Sequence, residues 1–83
     1  MITRRYAVDR IEGRLAVLVA DERGVADLHL DASEHGLCVN DIADCDFEGD
    51  RLVSLRKNPE ERERRLASNR SRLRALFNKK KPQ

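Results

Sequence analysis

Ala43-Asp44-Cys45-Asp46-Phe47-Glu48, preceded by Ile42, alternates strictly between apolar and acidic side chains. A period of two is the mark of a β-strand with one buried face and one wet face. Ala43, Cys45 and Phe47 are therefore assigned to a core, and Asp44, Asp46 and Glu48 to the opposite side. Gly49-Asp50 supplies turn chemistry, and Arg51-Leu52-Val53-Ser54-Leu55 follows as a further strand.

The same grammar extends toward the N-terminus. Residues 4–11 form a first strand with Tyr6 and Val8 on one face and Asp9 and Ile11 on the other. Glu12-Gly13 then turns the chain. Leu15-Ala16-Val17-Leu18-Val19-Ala20 is nearly all apolar, as expected of a strand inside a sheet with cover on both sides. After the Asp21-Glu22-Arg23-Gly24 turn, Val25 to Leu30 alternates, with Leu28 and Leu30 facing inward. Residues 31–40 have no clear period and read as a loop with room for one helical turn, pinned by Leu37 and Val39.

Five short strands joined by tight turns predict a mainly β fold, α+β by content. The expected form is a small five-stranded antiparallel barrel, SH3-like or OB-like, over residues 1–57. Closure into a barrel would remove the exposed sheet edges. Asn58-Pro59 then begins a helix: Asn58 can cap, Pro59 suits the first helical position, and Glu61 stands three residues beyond the cap. No helix breaker intervenes before Pro82. A long basic helix is thus expected over 58–78, roughly 30 Å of it, with a disordered tail at 79–83. Its apolar stripe is thin (Leu66, Leu73, Leu76 and Phe77), so its first half has weak grounds to pack.

Charge is segregated along the chain. Of the 83 residues, 39% are charged, and the formal net charge is only +2. Residues 1–55 carry six basic against twelve acidic side chains, while residues 56–83 carry eleven basic against three acidic. An acidic body with a basic end implies either an electrostatic partner or docking of the two halves on each other. No stretch approaches the roughly 20 apolar residues of a membrane span, and the N-terminus lacks the apolar core of a secretory signal. Two cysteines without such a signal fit reduced thiols in a cytoplasm.

Asp9-Arg10-Ile11-Glu12-Gly13, the apolar strand Leu15 to Val19, the Gly49-Asp50 turn and the Leu76-Phe77-Asn78-Lys79 end of a charged helix resemble a family of small bacterial proteins. That family is catalogued as a domain of unknown function, number three thousand and six. The resemblance covers most of the chain and implies a small β-rich domain with a C-terminal helix. It supplies no catalytic residues. The loop at 31–40 departs from the family's pattern, carrying His35 and Cys38 where prolines are usual.

Each candidate for chemistry meets a plainer reading. His35, Cys38 and Cys45 are zinc-ligand types, with His29 near in sequence, but paired Cys-x2-Cys spacing is missing and Cys45 falls on the core face beside Phe47. Ser33, His35 and an aspartate lack a nucleophile-elbow motif, and no glycine-rich phosphate loop exists. Asp41, Asp44, Asp46 and Glu48 lack calcium-loop spacing. Neither a catalytic or metal site nor a cofactor is expected. The acidic face of Asp44, Asp46 and Glu48 reads first as a solvated surface and second as a dock for basic side chains.

The helix carries the main candidates. Arg62, Arg64, Arg65, Arg70, Arg72, Arg74, Lys79, Lys80 and Lys81 have the chemistry of phosphate binding. Against that, the cations circle the helix, the body is acidic, and no aromatic stacking platform is exposed. The Leu66, Leu73, Leu76, Phe77 stripe suits docking into a protein partner or a second copy. The leading expectation is a non-enzymatic protein-interaction or accessory module, with an unidentified protein partner or self-association through the helix. Nucleic-acid binding is the alternative; no membrane or small-molecule partner is expected. Arginines paired with Asp44, Asp46 and Glu48 would favour the first reading, and arginines pointing away from the barrel the second.

Overall fold

The computed structural model describes residues 1–68. Its five strands are β1 (Ile2–Glu12), β2 (Leu15–Ala20), β3 (Leu28–Asp31), β4 (Ile42–Glu48) and β5 (Arg51–Lys57). A single turn of helix, α1 (Ala32–His35), joins β3 to β4, and α2 is described over residues 59–68. All four pairings are antiparallel, in the order β3-β2-β1-β4-β5, and the sheet curls into a half-barrel. Among the described residues β3 and β5 are each paired on one side only, so the expected closure is not made.

The long β1 organises the rest. Its first half pairs with β4 and its second half with β2. At Asp9 the β1–β2 register shifts, because Val8 faces Leu18 while Arg10 faces Val17. This bulge inserts one residue and restores the inward direction at Ile11, one position later than strict alternation from Val8 would. Ile11 consequently packs against the core, where alternation had placed it on the opposite face. A second bulge at Val53 lets Phe47 face Leu52 and leaves Val53 exposed.

The concave face is the core. Tyr6, Val8, Ala16, Leu18, Ala43, Cys45 and Phe47 are buried there, with the Tyr6 and Phe47 rings 6.1 Å apart and tilted. Leu28, Leu30, Leu52 and Leu55 on the two outermost strands are only partly covered. α1 closes one end, burying Ala32 and Leu37. Asp31 caps it by accepting from the Ser33 and Glu34 amides at 3.0 Å each. Gly36 ends it in the left-handed conformation that a side chain disfavours.

Several boundaries differ from the sequence expectations. β1 is longer than 4–11, and β5 runs on to Lys57. β3 begins only at Leu28, so Val25 to Asp27 precede it. Val39 is 44% exposed and does not pin the loop. There the Asp41 amide donates to the Cys38 carbonyl at 3.1 Å and the Cys38 amide to the Asp41 carboxylate at 2.8 Å. That tight turn, with Asn40 at positive φ, carries Val39 outward.

Candidate functional site

Alternation sends Thr3, Arg5 and Ala7 of β1 to the convex face, with their partners Asp46, Asp44 and Ile42 on β4. Arg56 and Ser54 of β5 stand beside Asp44 and Asp46 on the same face. The acidic strand face is thus flanked by cations on both sides. Arg5 donates to Asp44 through two nitrogens, at 2.8 and 3.3 Å. Asp46 accepts from Thr3 and Ser54 hydroxyls at 2.6 Å each and is ion-paired with Arg56.

This overturns the solvated reading for two of the three acids. Asp46 is buried and Asp44 half-buried, while Glu48, at the strand end, is exposed. The hydrogen bond from Arg5 holds the Asp44 carboxyl below the ordinary carboxylate range, and those from Arg56, Ser54 and Thr3 do the same for Asp46. The partners are strand arginines rather than helix arginines. Sequence reading missed them because cross-strand pairs appear only once register is known.

α2 lies over this face. Asn58 caps it as expected, its side-chain oxygen accepting from the Glu61 amide at 3.0 Å. The reciprocal half of a capping box is not made, since the Asn58 amide donates to the Ile42 carbonyl at 2.7 Å. Glu61 turns instead to cations. Arg64 donates to it through two nitrogens at 2.6 Å, and Arg65 at 3.4 Å. Arg5 approaches its other side at 3.8 Å. Glu61 is buried, and its carboxyl is held low chiefly by Arg64.

The remaining contacts tie the helix to the sheet's margins. Arg65 grips Asp21, in the β2–β3 connection, at 2.7 and 3.2 Å. Arg62 pairs with Asp41 at 3.2 Å, its buried Nε making no hydrogen bond. Leu66 is half-buried and borders a cavity of about 240 Å³ together with Ala7, Val19, Ile42, Arg62 and Arg65. The expectation that the first half of the helix has weak grounds to pack therefore fails. Ion pairs add to the apolar contact of Leu66, and a hydrophobic stripe does not register them.

Every helix arginine that is described, Arg62, Arg64 and Arg65, thus engages a carboxylate of its own chain. Arg70, Arg72, Arg74, Lys79, Lys80 and Lys81 lie outside the described residues, as do Leu73, Leu76, Phe77, the expected helix end at 78 and the 79–83 tail.

The zinc-type residues are dispersed. Cys45 is fully buried on the core face, where burial pushes its thiol up to about 11, and Cys38 is exposed in the α1–β4 loop. His35 ends α1 and His29 is exposed on β3. Among the described residues no three His, Cys, Asp or Glu side chains form a group able to hold a metal. No described helix is long and apolar enough to cross a membrane. No protein-family model matches the chain, and no curated protein or solved structure matches it.

Proposed function

We propose that the protein is a non-enzymatic protein-interaction or accessory module of the cytoplasm, a small member of the unassigned bacterial family it resembles. The observation that carries this reading is the pairing of Arg62 and Arg65 with Asp41 and Asp21 of the β body, while Arg64 pairs with Glu61 of its own helix. A phosphate backbone would have to compete with carboxylates already in place for each of these cations. The described cavities are also shallow in chemistry: none brings together a nucleophile, a base and an anion-stabilising group.

Strand order favours the OB-like over the SH3-like form of the fold. β1 is shared between β2 and β4, and a helix stands between the third and fourth strands. Such barrels often bind oligonucleotides on the outer face of their second and third strands, which is the specific ground for the second reading, nucleic-acid binding. Here that face presents Leu15, Val19, His29 and Asp31 around a buried Val17, with no aromatic for base stacking.

The test is a salt-titrated binding assay with mixed-sequence duplex and single-stranded DNA and RNA. The Arg70, Arg72 and Arg74 to Gln triple variant serves as its control. The interaction reading expects no binding at low salt. Binding that weakens steeply with salt and is lost in the triple variant overturns it in favour of nucleic acid.

A further inference from the structure

We infer that the cleft between the start of β1 and the β4–β5 turn receives Leu76-Phe77-Asn78-Lys79-Lys80-Lys81 of a second copy. This rests on the protein-interaction reading and names its partner. The cleft, of about 270 Å³, opens on the concave side, away from α2. Ile2, Val25, Leu28 and Phe47 line it with apolar surface, and Ile2 is 55% exposed. An apolar cavity of about 150 Å³ already accepts benzene, so one phenyl ring fits with room for a neighbouring side chain. Tyr6 and Phe47, tilted against each other at 6.1 Å, offer an incoming ring an edge or a face.

Tyr6 also gives the floor a polar group. It is 2% exposed and borders the cleft, and its hydroxyl makes no hydrogen bond among the described residues. Arg62 Nε is the only described side-chain polar atom both sealed and unpartnered, so the Tyr6 hydroxyl opens on the cleft. Burial pushes its phenol above the ordinary value, so it stays protonated and can donate. A backbone carbonyl of a seated segment supplies the acceptor such a hydroxyl needs.

Charge selects the occupant. Asp27, just before β3, and Asp50, in the β4–β5 turn, stand exposed on the rim and pair with no cation among the described residues. Arg4, the one cation of the lining, is tied to Glu22 at 2.8 Å. The fitting occupant is an aromatic anchor followed by basic side chains. Phe77 followed by Lys79, Lys80 and Lys81 is such a run. A second copy supplies it, because α2, described to residue 68, lies on the convex side, opposite the cleft. Exchanged reciprocally, two segments fill two clefts and the assembly closes as a dimer.

The experiment follows the full chain by sedimentation and by backbone amide shifts over a concentration series. It compares the wild type, Phe77→Ala, and a rim variant combining Asp27→Asn with Asp50→Asn. The wild type is expected to dimerise, with concentration-dependent shifts at Ile2, Val25, Leu28 and Phe47. Phe77→Ala should weaken the dimer more than about thirtyfold, the scale of an interface anchor. The rim variant should weaken it about tenfold, the scale of a few surface ion pairs. Four results overturn the proposal: a monomer at every concentration, a dimer that Phe77→Ala or the rim variant leaves intact, one whose formation shifts no cleft amide, or cleft shifts that Phe77→Ala removes but dilution does not. The last would mean that the chain's own end fills the cleft. Any of these moves the interaction surface or its partner elsewhere, whereas a positive nucleic-acid assay overturns the interaction reading itself.

Discussion

The two faces of one sheet are held differently: the concave one by apolar burial alone, the convex one by an ion-pair lattice added to its buried Val17 and Ile42. The concave face buries Tyr6, Val8, Leu18 and Cys45 with no ionised group among them, whereas the convex face sets Arg5, Asp44, Asp46 and Arg56 side by side and roofs them with Glu61 and Arg65. Apolar burial is non-directional and little affected by salt or pH. A carboxylate–guanidinium lattice is directional and depends on protonation. The contrast teaches that the concave face makes the fold, while the convex face decides where the helix goes and which arginines are left for a partner.

The sharpest break in this comparison comes from the core. Leu18→Ala should cost about 3 kcal/mol, as for other fully buried leucines. The loss should be nearly the same at low and high salt and is read from urea unfolding. For a domain this small that is a large share of total stability.

Acid should attack the other face. Asp44, Asp46 and Glu61 all have folded-state carboxyls held below their unfolded values. Their stabilisation is therefore complete above the ordinary carboxylate range, near pH 4, and is lost progressively as pH falls from that range through the lower folded-state values. Unfolding midpoints compared at pH 7 and pH 3 should drop, and Asp46→Asn should shrink the drop. An unchanged midpoint would mean the lattice contributes nothing.

A smaller effect separates the two cysteines. Cys45, with its thiol raised by burial, should resist a thiol reagent in the folded chain while exposed Cys38 reacts. One thiol per chain should titrate at neutral pH and two in urea. Two in the native protein would contradict the burial of β4's inner face.

Much of the concave face was legible in sequence, because alternation at Ala43 to Glu48 and the apolar run Leu15 to Ala20 report burial directly. Ile11 and Val39 were misplaced for a common reason: a bulge at Asp9 and a turn at Cys38 to Asp41 reset the side-chain phase locally. The convex face was hidden more deeply. Asp44 looked solvated because its partner Arg5 lies 39 residues away in sequence, and Glu61 looked like half of a capping box although three arginines surround it. Pairing over such separations depends on register, and register is a property of the whole sheet.

The central claim is that charge pairing pins the start of α2 on the sheet. Amide hydrogen exchange of residues 62–66 at pH 7, in the wild type and in Glu61→Gln, tests it most directly. Protection in the wild type that collapses in the variant, while β1 and β2 amides stay slow, is the predicted result. Fast exchange in the wild type, or equal protection in both, would contradict it.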